Sequence, residues 1–303
     1  MIWRVSLQSK DCIIIGGGVV GLCAAYSLRK EGYSVRIIEE NKTGRACSWA
    51  NGGLVVPSHC IPFASPAMLF KAFSFLFSKY KPFQIDFLKA SGLLTWSLFF
   101  LRNCRKKHVE KAAPIIYEMV FESIKLYEKW QKEAGHPFLF ISDGVLSLAL
   151  SKSGLRGLKK QAALLEKLNV ESIFLESRNK LLEIEPELHD SIRGGLYFPK
   201  DAHVQAGSFV QALSRRLRRE GVIFEENTKV LKLNIKESRF KSVDTNKGEY
   251  TSSSLIISAG SFTSNLLRPI GLRLPLQAAR GHSMTYYGDD ICVRKPLMLE
   301  EAK

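Results

Sequence analysis

The sequence lacks an apolar run long enough to cross a membrane. Its longest apolar stretches, around 98–101 and in the Phe-rich 68–77, fall far short of the roughly 20 residues that span a bilayer. Residues 1–10 contain Arg4 and Lys10 and lack the uninterrupted apolar stretch of a secretory signal. We therefore expect a cytoplasmic protein.

The sequence also lacks a cysteine pattern, an internal repeat and a low-complexity tract. Its six cysteines have irregular spacing, with no C-x-x-C pair and no histidine cluster beside them. This usage predicts reduced, mostly buried thiols and no metal site. With 46% hydrophobic residues, the chain is long enough to bury one large core or two smaller ones.

Acidic residues are scarce relative to basic ones. There are 29 Asp and Glu against 44 Lys and Arg, a formal charge of +15. Such a balance suits nucleic acid, an anionic membrane face or an acidic ligand, and equally a solvated basic surface. No recognised nucleic-acid module accompanies the charge, so we expect no nucleic-acid partner.

A glycine-rich turn near the N-terminus carries the most information. An apolar strand, Cys12–Ile15, runs into Gly16, Gly18 and Gly21, which open a helix that closes at Gly32. A second strand, Val35–Ile38, ends on an acidic pair. The order of strand, G-x-G-x-x-G, helix, strand and acid is typical of a dinucleotide-binding βαβ unit.

Each position of this motif has a physical reason. Gly16 permits a tight turn, Gly18 lets backbone approach a pyrophosphate, and Gly21 lets the helix pack on the strand. The helix N-terminus offers N–H groups to phosphates, and Glu39 can accept ribose hydroxyls. The alternative is a turn that binds nothing, and the motif itself does not separate FAD from NAD. The predicted cofactor-binding residues here are Gly16, Gly17, Gly18, Val19, Val20, Gly21, Glu39 and Glu40.

The remaining pattern predicts an α/β protein with a second, α+β part. A loop over 41–66 precedes helices at 87–101 and 114–133. Further helices are predicted at 155–168 and 207–220 and in a short segment ending at Pro186. Strands are predicted at 138–141, 145–149, 172–175, 196–198, 222–224, 229–236, 240–243 and 255–258.

Three separate stretches, at 13–40, 47–69 and 274–285, resemble the FAD-dependent D-amino acid oxidase superfamily. The bacterial D-amino acid dehydrogenases of small-subunit type are most similar, with glycine and sarcosine oxidases nearby. Segment 95–112 resembles the helical insertion of the dehydrogenase branch. The resemblance implies FAD as cofactor and an FAD-binding Rossmann-like domain of GR2 type, interleaved with a substrate domain.

The resemblance also implies further cofactor contacts. A loop following the second strand would hold the isoalloxazine and ribityl groups, the Val230 backbone would hold the adenine, and a strand end would meet the cofactor again. For Val230 a plain core strand residue is the alternative, and for the strand end a simple turn. The implied residues are Ser48, Ala50, Asn51, Gly52, Val230, Ala259 and Gly260.

The implied chemistry is hydride transfer from the substrate α-carbon to flavin N5, giving an imino acid that water hydrolyses to a 2-oxo acid and ammonia. The flavin carries the redox step, and the protein orients an amino acid whose carboxylate needs a cationic partner. Candidates are Arg280, Tyr286, Tyr287 and His59. For His59 and His282 a surface or core histidine is the alternative, so the catalytic residues stay open.

Members of the resembled family continue beyond the position of Lys303, so the C-terminal part of the substrate domain is expected to be missing here. The predicted division is 1–66 for the FAD-binding βαβ unit and flavin loop, 67–135 for a helical insertion, 136–200 for part of the substrate domain, 201–265 for the rest of the FAD-binding domain, and 266–303 for a truncated second substrate segment. The alternatives are a glycine- or sarcosine-type amine oxidase, a non-catalytic remnant of the fold, and an NAD-dependent dehydrogenase, which gives the 47–56 loop no role.

Residues 71–111 contain nine basic and two acidic residues among many Phe, Leu and Trp. Such an insertion suits peripheral contact with an anionic membrane, at the inner face, and a dehydrogenase that passes electrons to quinone or another carrier. A helical lid with a wet basic face is the alternative. By contrast, the four arginines of 215–219 are expected on a solvated helix face.

Overall fold

The computed structural model describes residues 10–69, 93–133, 138–237, 239–284 and 293–302. The chain forms two compact units. Unit 1 comprises Met1–Gly52, Ala134–Leu139 and Gln205–Ser283, and unit 2 comprises Gly53–Glu133, Phe140–Val204 and Met284–Lys303.

The described residues form strands and helices of ordinary length. The strands are β1 (Asp11–Ile15), β2 (Ser34–Ile38), β3 (Leu54–Val55), β4 (Phe140–Ile141), β5 (Val145–Ala149), β6 (Ile173–Leu175), β7 (Gly194–Phe198), β8 (Ala202–Val204), β9 (Ile223–Glu225), β10 (Val230–Lys236), β11 (Arg239–Thr245), β12 (Gly248–Thr251), β13 (Ser254–Ile257) and β14 (Leu297–Leu299). The α-helices are α1 (Val19–Lys30), α2 (Leu93–Asn103), α3 (Lys106–Lys132), α4 (Lys152–Glu166), α5 (Arg178–Ile184), α6 (Ala206–Arg219) and α7 (Thr263–Leu267). Short 3₁₀ turns cover Pro57–His59, Gly260–Phe262, Arg268–Ile270 and Glu300–Ala302.

Unit 1 is built on a parallel sheet in the order β13-β1-β2-β9. Ile13 pairs with Leu255 on one side and Arg36 on the other, so β1 is central. A central parallel strand is covered on both faces, which explains its unbroken apolar sequence, and Ile14 is fully buried. Helix α1 makes the crossover from β1 to β2, and this places its N-terminus at the carboxyl end of β1.

A second sheet of unit 1 is antiparallel, in the order β10-β11-β12. Its apolar residues join the core of the parallel sheet. Leu233 of β10 and Val243 of β11 cluster with Ile13, Ile15 and Ile38. This packing fixes the start of β10 close to the carboxyl end of β2.

Unit 2 contains a four-stranded sheet in the order β14-β5-β7-β6 and a three-stranded sheet in the order β3-β8-β4. Strand β5 is buried along its whole length. One cluster packs Leu158 and Leu165 of α4 against Leu196 and Phe198 of β7. The mixture of short strands and helices is the α+β part that the sequence predicts, and the α/β class is confirmed.

Several sequence predictions were wrong in detail. Helix α3 begins at Lys106 rather than Pro114, because tertiary packing of Val109 and Ala113 outweighs the lost hydrogen bond at the internal proline. The predicted loop 41–66 contains β3 and a 3₁₀ turn, and β8, β12 and β14 were missed because strands of three or four residues carry little periodic signal. The first part of the predicted helix 87–101 lies outside the described residues.

Across the described segments, no helix combines the length and apolarity that a bilayer crossing requires. Within the same segments, no group of three or more His, Cys, Asp or Glu side chains is arranged to hold a metal ion.

Candidate dinucleotide site

The turn after β1 has no room for side chains. Gly16 has a φ of +104°, and a Cβ there would lie 2.5 Å from the carbonyl oxygen of Ser258. A Cβ on Gly21 would lie 2.0 Å from the carbonyl oxygen of Gly16 and 2.7 Å from Ser258 Oγ. Two backbone segments and the first turn of α1 therefore meet at distances that only glycine allows.

The N-terminus of α1 is arranged to receive an anion. Gly18 is the N-cap and provides no side-chain hydrogen bond, and the first turn contains no acidic residue. The N–H of Val19 donates to Ser48 Oγ at 2.9 Å, and the next residue, Val20, is exposed. The first N–H groups of a helix lack intrahelical partners and lie at its positive end. A phosphate group fits this position.

The carboxylate of Glu39 lies across the same turn. Its Oε2 accepts the N–H of Gly17 at 2.7 Å, and its Oε1 accepts the N–H of Asn41 at 3.0 Å. Each oxygen keeps a second acceptor position, so the group can bind hydroxyls while it orders the loop. Glu40 differs, since it forms an exposed ion pair with Lys229 at 2.7 Å.

The loop over 41–52 is held against α6. Trp49 packs against Gly207 of α6, and the guanidinium of Arg45 lies 3.8 Å from the centre of the Trp49 ring. The N–H of Gly44 donates to the carbonyl of Gly17 at 2.9 Å, which ties the loop to the glycine turn. Glu226 accepts the N–H of Thr43 at 3.0 Å. Burial raises the pKa of Glu226. The hydrogen bonds from Thr43 and the charges of Arg218 and Lys42 lower it by a larger amount, so the pKa lies below its ordinary value. The fixed loop presents Ser48 to α1 and leaves Ala50, Asn51 and Gly52 exposed.

Two later segments return to the same end of the sheet. Thr228 donates to the carbonyl of Glu39 at 2.8 Å, which places Val230 two residues along the chain from this contact. Val230 is partly buried against the unit 1 core. Ser258 Oγ donates to the carbonyls of Ile15 and Gly16 at 2.9 and 3.0 Å. The next two residues, Ala259 and the exposed Gly260, therefore begin beside the glycine turn.

The candidate substrate residues are divided between the two units. His59 belongs to unit 2, where it is exposed and makes an edge contact with Phe198 at 6.4 Å between ring centroids. Arg280 and His282 belong to unit 1 and are exposed. Tyr286 and Tyr287 lie outside the described residues.

Sequence reasoning missed Ser258, whose carbonyl oxygen is the nearest atom to a Cβ on Gly16 and whose Oγ would lie 2.7 Å from a Cβ on Gly21. A serine after an apolar strand carries no signal of its own. Only the pairing of β13 with β1 places its hydroxyl on the two carbonyls.

It also missed a buried polar group of unit 2. Asp201 is 1% exposed, and its carboxylate accepts the N–H of Ser58 at 3.0 Å and its hydroxyl at 2.5 Å. Burial raises the pKa of Asp201 to about 6, against the lowering effect of the two bonds from Ser58. An isolated aspartate beside a short strand gives no indication of burial in the sequence.

The geometry of unit 1 fits a dinucleotide with a pyrophosphate group. The cradle that a Cβ would fill at Gly16 and Gly21, the glycine-capped helix N-terminus and the acidic residue after β2 are the three parts of a Rossmann-type nucleotide site. The described residues therefore define a dinucleotide-binding protein of the Rossmann class.

The chain belongs to the family of FAD dependent oxidoreductases, whose family model matches residues 11–298. FAD is thus the cofactor of its family. The chain is 25% identical over 279 residues to the D-amino acid dehydrogenase of Vibrio atlanticus, covering 91% of this chain and 67% of that protein.

Solved structures share the fold. Glycine oxidase from Bacillus cereus matches with a TM-score of 0.60 and 22% identity, covering 86% of this chain and 58% of the other. The FAD-bound L-α-glycerophosphate oxidase from Mycoplasma pneumoniae matches with a TM-score of 0.58 and 16% identity, covering 97% of this chain and 66% of the other. The chain thus spans about two thirds of the length of the Vibrio protein and less of the glycine oxidase. The fold class expected from the sequence is confirmed.

Proposed function

We propose that the chain binds FAD in unit 1 and takes part in the oxidative deamination of amino acids, with D-amino acids as substrates. The observation that carries the proposal is the glycine turn, where Gly16 and Gly21 leave no space for a side chain and Glu39 and the N-terminus of α1 face the same loop. The relatives that are named D-amino acid dehydrogenases support the substrate class.

Each part of the cradle has a proposed role toward the cofactor. The N–H groups at the start of α1 bind the pyrophosphate, and Glu39 binds ribose hydroxyls. The Val230 backbone holds the adenine, and the exposed loop and the β13 end hold the ribityl and ring portions. The residues proposed for these contacts are Gly16, Gly17, Gly18, Val19, Val20, Gly21, Glu39, Glu40, Ser48, Ala50, Asn51, Gly52, Val230, Ala259 and Gly260.

Within this proposal Glu39 binds the ribose and Glu40 has the smaller part. The Glu39 carboxylate already accepts hydrogen bonds from two backbone N–H groups of the turn, whereas Glu40 forms an exposed ion pair with Lys229. A charged acceptor next to ribose also disfavours a 2′-phosphate, which matches FAD rather than a phosphorylated nicotinamide cofactor.

When bound, FAD supplies the redox chemistry, accepting a hydride from the substrate α-carbon at N5. The protein's task is to orient the amino acid and to keep the ring in place. We propose that the guanidinium of Arg280 binds the substrate carboxylate. Arg280 is exposed and lies outside any helix or strand. His59 and Tyr286 are further candidates for this role. For the electron acceptor we propose a quinone or a similar carrier.

A glycine-type amine oxidase is the second candidate function, since the fold of the Bacillus cereus glycine oxidase covers 86% of this chain. The two candidates differ in substrate and acceptor. A dehydrogenase reduced by D-alanine is reoxidised by a quinone analogue and slowly by oxygen, whereas an oxidase reduced by glycine is reoxidised rapidly by oxygen.

The test is a spectrum of the purified chain after reconstitution with FAD. We expect a bound yellow chromophore that D-alanine or D-proline bleaches without oxygen, while the L-enantiomers leave it unchanged. Colourless protein after reconstitution would overturn FAD binding. Yellow protein that no D-amino acid, glycine or sarcosine reduces would overturn the catalytic part and favour a non-catalytic remnant of the fold.

A further inference from the structure

Helix α2 of unit 2 is apolar on two opposite sides. Trp96 and Phe100 stack with ring centroids 5.0 Å apart, and Phe100 contacts Phe63 at 5.7 Å, so this side packs on its own unit. The other side carries large side chains with high exposure. They are Leu94 at 84%, Leu98 at 69% and Leu101 at 53%.

The exposed side forms one continuous stripe. Leu94, Leu98 and Leu101 follow at spacings of four and three, which aligns them on one helix face. The helix contains no acidic residue. A helix that is apolar all round is normally buried, and large exposed apolar patches mark interaction sites. The exposures therefore make this stripe a candidate interaction surface.

Cationic side chains adjoin the stripe. Residues 93–111 contain five basic residues and a single acidic one, Glu110, which pairs with Lys106 at 3.6 Å. All five are exposed at the end of α2 and the start of α3. The five are Arg102, Arg105, Lys106, Lys107 and Lys111.

We propose that α2 lies in the plane of an anionic lipid bilayer, with Leu94, Leu98 and Leu101 among the acyl chains and the basic residues at the headgroups. An in-plane helix has one apolar side and flanking Lys and Arg, and anionic lipid neutralises this charge. A second copy of the chain fits less well, because a symmetric contact would bring the same basic residues together. A nucleic acid would leave the leucines without a partner.

The proposal is tested by sedimenting the protein with vesicles. We expect binding to phosphatidylglycerol mixed with phosphatidylcholine, weak binding to phosphatidylcholine alone, and loss of binding as salt rises. The double variant Leu94→Ser, Leu98→Ser should lower the partition coefficient at least about tenfold. The double variant Arg102→Gln, Lys107→Gln should lower it by roughly fivefold for each charge removed.

Leu164→Ser is the matched control. Leu164 is 38% exposed on α4, and Lys160 and Lys167 lie on the same helix face one turn before and after it, so it is not part of an apolar stripe. Its partition coefficient should stay within about twofold of the parent. Circular dichroism checks that each variant is folded.

Three results would overturn the proposal. They are equal binding to neutral and anionic vesicles, no binding to either, and an effect of Leu164→Ser as large as that of the Leu94→Ser, Leu98→Ser double variant. If the protein self-associates, and the Leu94→Ser, Leu98→Ser variant abolishes this without changing vesicle binding, the partner of the stripe is a second copy of the chain. None of these readouts depends on flavin reduction, so they separate this proposal from the proposed function.

Discussion

The two units differ in how they use polar groups. In unit 1 the groups around the glycine turn are backbone N–H groups and a half-exposed carboxylate, and the turn depends on the absence of side chains. Unit 2 instead buries charge-bearing side chains. Asp201 and Glu185 are each 1% exposed, and Glu185 Oε2 accepts the N–H groups of Arg294 and Lys295 at 2.8 and 3.1 Å.

Changes in the two units should therefore affect different properties of the protein. Adding a side chain at the glycine turn of unit 1 should lower the affinity for the dinucleotide, since its atoms would occupy the space of a backbone carbonyl or a phosphate. Changing protonation in unit 2 should alter the free energy of unfolding, since a buried ionised carboxylate costs energy that depends on pH.

The largest effect is expected for Gly21→Ala. Its Cβ would lie 2.0 Å from the carbonyl oxygen of Gly16, so the turn must shift. Overpacking of this kind costs on the order of 3 kcal/mol, and we expect FAD affinity to fall more than about 100-fold. Fluorescence titration with FAD measures the change.

Gly32→Ala is its control. Gly32 has a φ of +79° and nothing within 4 Å of a Cβ. This variant should lose about 1 kcal/mol of stability through the left-handed backbone and keep its FAD affinity. A similar loss of affinity in both variants would show that general destabilisation explains the result for Gly21.

The next effect concerns Asp201 and pH. Burial raises the pKa of Asp201 from 3.8 to about 6, so the folded chain holds this proton more tightly than the unfolded chain. Its contribution to stability is therefore complete below pH 3.8 and is lost as the pH rises through about 6, a change of about 3 kcal/mol.

Asp201→Asn keeps an acceptor for the N–H of Ser58 but does not titrate. Denaturant unfolding between these pH values should show a flatter profile for the variant than for the parent. Burial lowers the pKa of His203, while the charge of Asp143 opposes this shift. The contribution of His203 to stability therefore rises with pH, opposite to that of Asp201, and it is the same in both proteins. Parallel profiles for the two proteins would show that Asp201 does not titrate in this range.

A smaller effect is expected for Glu39→Gln. The amide keeps one acceptor but loses the charge that strengthens bonds to Gly17 and to ribose hydroxyls. Loss of about 2 kcal/mol corresponds to a roughly 30-fold weaker FAD affinity. Glu40→Gln, which breaks only the exposed pair with Lys229, should change the affinity less than about twofold. Equal effects of the two variants would contradict the role proposed for Glu39.

The smallest effect is expected for Ser48→Ala. It removes the hydrogen bond that holds the 41–52 loop against the first turn of α1, so about 1 kcal/mol and a roughly fivefold weaker FAD affinity are expected. Titration beside Ser214→Ala, whose hydroxyl donates to the carbonyl of Gln211 within α6, checks that the change is local. An unchanged affinity for Ser48→Ala would place Ser48 outside the site.

Local sequence was enough for the glycine turn, because its signals lie within about 30 consecutive residues. The strand, the three glycines, the helix and Glu39 are each set by short-range backbone requirements. The resemblance extended this to the 47–52 loop and to Val230. Strands β8 and β14 could not be predicted, since each pairs with a strand about 150 residues away in the chain. Strand β12 pairs with the neighbouring β11, and it was missed because its four residues carry little periodic signal.

The glycine turn and the basic helical segment can both be read from the residues alone. Three features depend on tertiary contacts: Ser258 closes the turn, Asp201 is buried on Ser58, and Trp96 and Phe100 face inward while Leu94 and Leu98 face outward. The reason is that burial and close contact belong to pairs of segments distant in the chain, whereas turn and helix geometry belong to each segment alone.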